Sequence, residues 1–218
     1  NSAIINFISD KYIDPDIEYV SACQTLINNT NGNVYQLNQS VNTTVDCMVI
    51  ANNSIILDMN GFNMTGDANS GTDYGVDNSG GFNGTTVMNG FIYNFGAGVY
   101  SAEGYDGNFT NLTIYRFVLP LSGYVYGVYL SGDNNFITDN NISNMNGNEA
   151  GPDGYGIYLS SSSNNTITSN TANSNSDFGI YIGSSSNNTL TGNTANSNSR
   201  YGIFISSSDE NTITSNTA

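Results

Sequence analysis

GIYLSSSSNNTITSNTANSNSDF runs from Gly156 to Phe178, GIYIGSSSNNTLTGNTANSNSRY from Gly179 to Tyr201, and GIFISSSDENTITSNTA from Gly202 to Ala218. The leading glycines are 179 − 156 = 23 and 202 − 179 = 23 residues apart. Near-identical copies at one such period mark a solenoid, whose single turns cannot bury an apolar face alone. Each copy holds only short runs of alternating apolar and polar residues, separated by Gly, Ser and Asn, which excludes a helical repeat and leaves short strands with polar turns.

On strands, Ile157, Leu159, Ile167 and Ala172 share one side. Ile180, Ile182, Leu190 and Ala195 fall one period later, and Ile203, Ile205, Ile213 and Ala218 one period after that. Coils stacked about 4.8 Å apart would turn each column into a ladder within a thin core. Asn170, Asn193 and Asn216 also recur at one register, where side-chain amides can run down the inside of a turn and satisfy buried backbone groups.

Working backward, Gly127-Val-Tyr-Leu, Gly98-Val-Tyr and Gly75-Val precede the repeat at spacings of 29, 29 and 23. The two surpluses predict inserted loops, one over Gly147–Gly154, which is rich in turn residues, and one between Ser101 and Tyr126. The expectation is an all-β chain: a right-handed, single-stranded parallel β-helix of about 23 residues per coil, with two longer coils. Residues 1–45 read as a cap or entry segment that can also contact another subunit, and residues 46–218 as the helix.

At these residues the sequence resembles the parallel β-helix repeat superfamily, in particular archaeal and bacterial surface proteins with NosD-type, carbohydrate-binding and sugar-hydrolase repeats. Cys23-Gln-Thr-Leu, Tyr35-Gln-Leu-Asn, Cys47-Met-Val-Ile and the run from Ile55 to Met64 are similar to that family's first coils. The resemblance implies a cysteine pair closing the entrance. The family's copper association does not carry over, because this chain has no His and two Cys. From composition alone a disulfide between Cys23 and Cys47 is the natural pairing, with two reduced core cysteines as the alternative.

Lys11, Arg116 and Arg200 are the three basic residues against 18 acidic ones, giving a net charge of −15. Three scattered cations cannot neutralise a phosphate backbone, which argues against nucleic acid and anionic membranes as partners. N-x-S/T acceptors occur at Asn28, Asn38, Asn42, Asn52, Asn63, Asn83, Asn108, Asn111, Asn141, Asn164 and Asn187. They have meaning only in an exported protein, although an Asn- and Thr-rich repeat also generates such triplets by composition. No apolar run is long enough for a membrane span and no leader is visible, so a secreted or cell-surface location, with Asn1 following a processed start, is expected.

A polysaccharide lyase would need a basic proton abstractor, for which Arg116 and Arg200 qualify by type; neither matches a carboxylate column. A glycoside hydrolase would need two carboxyls about 5 to 9.5 Å apart, and Glu103, Asp106 and Asp133 are the candidates, placed in turns that can meet on adjacent coils. Solvated turn acids are the competing reading, and the regular copies offer only Asp177, Asp209 and Glu210. Asp10, Asp14, Asp16 and Glu18 form an acidic group suited to weak extracellular calcium binding or to a solvated strand. Tyr100, Tyr129, Tyr158, Tyr181 and Phe204 each lie two residues after a strand glycine, so they should form an outward stripe that contacts glycans or neighbouring subunits, or merely covers the sheet.

A stop midway through a repeat suggests either a fragment of a longer protein or an uncapped coil that another subunit could continue into a filament. The expected function is a non-catalytic, self-assembling cell-surface component such as a filament, sheath or adhesin subunit. It carries no cofactor apart from structural calcium and N-linked glycans. The alternative is a polysaccharide-binding or polysaccharide-cleaving β-helix with its cleft at the two insertions.

Overall fold

The computed structural model describes residues 17–27, 33–68, 72–116, 123–146 and 154–218, and among these it contains strands and turns but no α-helix. An eight-stranded parallel sheet collects Gln24–Leu26, Met48–Ile50, Tyr74–Asn78, Ala97–Ser101, Val125–Leu130, Gly154–Ser160, Phe178–Gly183 and Tyr201–Ser206. A thirteen-stranded sheet forms the other two faces of each coil. Its two arms are joined by the long strands Thr86–Tyr93 and Asn108–Tyr115, which bend at Asn89 (φ 62°) and Asn111 (φ 52°). Every strand pair is parallel and links successive coils, which makes the chain a parallel β-helix with three faces.

Pairing registers give the coil lengths directly. Ile157 pairs with Ile180 and Ile180 with Ile203, offsets of 23, while Val99 pairs with Val128 and Val128 with Ile157, offsets of 29. A third long coil was not foreseen: Met48 pairs with Val76, an offset of 28. It lacks the glycine-led signature at its start, so nothing in the repeat announces it. All three expansions fall at one corner, between Met64 and Val76, Ile114 and Val128, and Ile142 and Ile157. The equivalent step from Ala172 to Ile180 takes eight residues. The surplus expected after Ser101 therefore lies beyond Ile114. Coils also continue below residue 46, since Ile17–Val20 pairs with Val34–Leu37 and Gln24–Leu26 with Met48–Ile50. The boundary expected at residue 45 separates strands of the same sheets.

The interior is a single cluster from Val20 to Leu190, and the predicted columns Ile157, Leu159, Ile167, Ala172, Ile180, Ile182, Leu190 and Ala195 are all buried within the core. In the last described coil Ile203 and Ile205 are half-buried and Ile213 is exposed. The glycine that opens each copy is required by close approach. A Cβ on Gly156 would sit 2.4 Å from the Gly179 carbonyl oxygen and one on Gly179 2.6 Å from that of Gly202, with Ala172 pressing on both from the core. Any larger residue must push adjacent coils apart.

At the corners the chain repeats one device: a residue in the left-handed conformation, followed by a polar side chain turned inward. Asn134, Asn164 and Asn187 have φ of 59°, and each is followed by a buried Asn. The Asn135, Asn165, Asn188 and Asn211 amides form a ladder in which each backbone N–H donates to the next Oδ1 at 2.8 Å. The expected Asn170, Asn193 and Asn216 ladder also exists and extends back to Asn140 and to the Leu112 N–H. A third links Met145, Asn175 and Asn198. The amides satisfy backbone groups that a tight corner would otherwise strand in the core.

Cys23 and Cys47 are joined by a disulfide, their Cα atoms 4.4 Å apart, tying the coil of Gln24–Leu26 to that of Met48–Ile50. No helix among the described residues is long and apolar enough to cross a membrane.

Candidate functional site

A concave polar surface lies where the two arms of the thirteen-stranded sheet meet. There a groove of about 390 Å³ is lined by Asp58, Asn60, Gly61, Asn89, Gly90, Phe91, Asn111 and Thr113. Asp58 ends its strand and is in register with Met88, which is in register with Thr110. The left-handed Asn89 and Asn111 that follow therefore stack on adjacent coils. Their side chains connect: Asn111 Nδ2 donates to Asn89 Oδ1 (2.9 Å) and Asn89 Nδ2 to Asp58 Oδ1 (3.1 Å). Asp58 Oδ1 also accepts from the Asn60 N–H (2.9 Å), and Oδ2 from Gln36 Nε2 (3.0 Å). Gly90 keeps the floor low, because a Cβ there would meet Met59 Cβ at 2.3 Å. Phe91, 36% exposed, forms one flank and stands near Tyr93, which packs on Tyr115. Burial, then the Tyr115 hydroxyl, push the Tyr93 hydroxyl up to about 12.

Of the expected stripe, every member is present and stacked. Ring centroids are 4.7 Å apart for Tyr100 and Tyr129, 5.5 Å for Tyr129 and Tyr158, 4.7 Å for Tyr158 and Tyr181, and 5.5 Å for Tyr181 and Phe204. Tyr74 extends the column at 4.4 Å from Tyr100, its hydroxyl pushed up to about 12 by burial and by the neighbouring Tyr100. A second column, Tyr126, Tyr155, Phe178 and Tyr201, was missed; its successive ring centroids are 5.4 to 5.8 Å apart, and it stands beside the first. Burial also raises the Tyr126 and Tyr158 hydroxyls. Most of these rings are spent on each other, with Tyr124 and Tyr201 the exposed members at about half of their surface.

The candidate catalytic residues take structural positions. Arg116, expected to have no carboxylate counterpart, is fully buried near Asp73 and Asp67, and donates to the Phe95 (2.5 Å) and Ala68 (2.7 Å) carbonyls. Arg200, which occupies the repeat position of Asp177 and was expected to match no carboxylate column, pairs with Asp177 one coil earlier at 3.3 Å and lies over the Phe178 ring. The shared 23-residue register places the two side by side. Asp106 and Asp133 do meet on adjacent coils, the Asp106 N–H donating to the Asp133 carbonyl (3.3 Å). The Asp133 carboxylate, however, faces the other way and accepts from the Ser163 N–H at 2.6 Å. Glu103 is an exposed turn residue whose N–H donates to Ser131 Oγ. The groove is thus one corner away from these acids and from the insertions expected to frame it.

Glu18 is half-buried in Ile17–Val20, while Asp10, Asp14, Asp16, Lys11 and Asn28 lie outside the described residues, as do 147–153. No described acceptor asparagine is buried. Asn38, Asn42, Asn83, Asn111, Asn141, Asn164 and Asn187 are exposed, and Asn52, Asn63 and Asn108 half-exposed. A smaller hollow of about 240 Å³ is lined by Thr44, Val45, Asp46, Thr72 and Asp73. Burial raises both of its carboxyls, and Asp73 Oδ2 has no hydrogen-bond partner among the described residues.

Three stacked faces, inward columns and amide ladders define a solenoid of the parallel β-helix class. Residues 74–218, more than half of the sequence, match the family model described as the right handed beta helix region, and the chain belongs to that family. Among solved structures the chain is similar to the periplasmic alginate epimerase AlgG, crystallised as a double mutant. The two are 15% identical with a TM-score of 0.38, over 85% of this chain and 69% of that one. No curated protein matches the sequence.

Proposed function

We propose that this protein is an exterior β-helical scaffold that binds carbohydrate in the groove over Asp58, Asn89 and Asn111. The observation that carries the reading is the row of hydrogen-bonded carboxylate and amides beside the exposed Phe91 ring. Planar polar groups that grip hydroxyls, with an aromatic surface for the apolar face of a sugar ring, are what a carbohydrate site needs. Binding fits better than cleavage. Among the described residues Asp58 is the single carboxylate of the lining, and both of its oxygens already accept hydrogen bonds, whereas glycoside hydrolysis uses two carboxyls. The Cys23–Cys47 disulfide and the accessible acceptor asparagines support an oxidising, exterior compartment.

A glycan array followed by calorimetry with the best oligosaccharide tests this. Phe91→Ala and Asn89→Ala should each weaken binding at least tenfold; an array without a hit, or unchanged affinity in both variants, refutes it. The second reading, lateral association of a surface component, is favoured by the twin aromatic columns with Tyr124 exposed beside them. Sedimentation that depends on concentration and is abolished by Tyr124→Ser would support it, and a monomer at every concentration would remove it.

A further inference from the structure

If the groove is a carbohydrate site, its donors and charges narrow the ligand class. We infer that it prefers amino sugars bearing a free ammonium group over neutral sugars, and disfavours uronate chains. Each amide commits one of its two N–H groups within the protein: Asn89 Nδ2 to Asp58, Asn111 Nδ2 to Asn89, and Asn60 Nδ2 to the Leu37 carbonyl (3.3 Å). What remains is one N–H on each amide, the Asn60 and Asn111 Oδ1 atoms and the Asp58 carboxylate, so the charge that the described lining offers a ligand is negative. A carboxylate offers about four lone-pair sites, and Gln36, Asn60 and Asn89 fill three, so one remains for a ligand. An ammonium group brings a positive charge and three donors, which suit the open Asp58 lone pair and the amide oxygens, while the spare N–H groups are left for sugar hydroxyls. The exposed Phe91 ring adds a face on which a cation is attracted.

The rest of the molecule works in the same direction. The groove lining contains no Lys or Arg among the described residues. Among the described residues, the guanidinium of Arg116 is buried against backbone carbonyls and that of Arg200 is paired with Asp177. With a net charge of −15, the protein's field attracts cationic chains and repels polyanions.

The test is calorimetry of the full chain with glucosamine, neutral glucose and uronate oligomers of equal length, at a pH where the amine is protonated. The glucosamine oligomer should bind about five- to tenfold tighter than the neutral one, a surface ion pair plus a cation–π contact. The uronate oligomer should bind weakest. The preference should shrink in 1 M salt, where the screening length falls to about 3 Å, and Asp58→Asn should narrow the same ratio. A uronate oligomer that binds as well as the glucosamine one, or a preference insensitive to salt, overturns the inference while leaving carbohydrate binding standing. Failure of all three oligomers to bind overturns the carbohydrate reading itself.

Discussion

Replacing Asn193 with Ala removes one rung from the middle of an amide ladder, and the structure specifies what that rung holds. Asn193 is 1% exposed; its Oδ1 accepts from the Asn170 backbone N–H (2.9 Å) and Asn170 Nδ2 (3.0 Å), and its Nδ2 donates to the Ile167 carbonyl (2.7 Å) and Asn216 Oδ1 (2.9 Å). Asn216 Oδ1 keeps its bond from the Asn193 N–H, so the deficit falls on Asn170 and Ile167. These three polar groups lose a partner in the buried interior, at about 1 to 3 kcal/mol each. Partial relaxation and water entry into the vacated space should hold the total to about 3 to 5 kcal/mol. In a solenoid such a loss is felt first by the adjoining coils. Urea denaturation combined with native-state hydrogen exchange is the assay, and amides from Asn170 onward should lose protection before those near Val76. A cost below about 1 kcal/mol, or uniform loss of protection along the chain, would refute the assignment of the ladder as the element that satisfies the corners.

Gly179→Ala forces a methyl against the Gly202 carbonyl oxygen and Ala172, and should cost about 1 to 3 kcal/mol by overpacking, measured by urea denaturation; a neutral result would mean the coils separate freely. Reducing the Cys23–Cys47 bond, which closes a loop of separation 24, should cost about 3 kcal/mol, with hydrogen exchange rising first between Gln24 and Ile50. Asp73 and Asp46 carry carboxyls raised above 3.8, chiefly by burial, so the folded state holds their protons to higher pH than the unfolded chain does. Stability should therefore fall as pH rises from 3.8 through the raised values. Asp73→Asn should flatten that fall in denaturation curves from pH 4 to 7, and an unchanged pH profile would count against it.

Much of the architecture was legible because the last three copies are nearly identical: Ile157, Ile180 and Ile203 differ only in coil, and so do Asn170, Asn193 and Asn216. Other features were hidden for definite reasons. The Asn165 and Asn188 ladder stands in the same copies, but each of its members follows an acceptor asparagine, Asn164 or Asn187, and the triplet drew the reading to the exposed partner. The second aromatic column broke the assumption of strict alternation. By parity Tyr126 should share the inward side of Val128, yet its ring lies 5.2 Å from that of the outward Tyr129. A Cβ on Gly127 would point into the core against Ile142, so two successive residues face inward and Tyr126 is displaced to the outside.

The groove was the least legible feature. Asp58, Asn89 and Asn111 are spaced 31 and 22 apart and belong to coils whose lengths differ, so no fixed period unites them. The available signal was local: Asn60-Gly61 and Asn89-Gly90 are turn dipeptides, and the residues beside such turns on stacked coils come together. Glu103, Asp106 and Asp133 attracted attention as acids, but the 2.6 Å bond from the Ser163 N–H commits Asp133 to its own corner.

Amide chemical-shift mapping of the protein titrated with its best-binding oligosaccharide tests the central claim most directly. Saturable shifts should concentrate at Gly61, Asn89, Gly90, Phe91 and Thr113, the lining of the groove. Shifts confined to the strands that carry Tyr100, Tyr129, Tyr158 and Tyr181 would contradict the account and move the binding surface to the aromatic face.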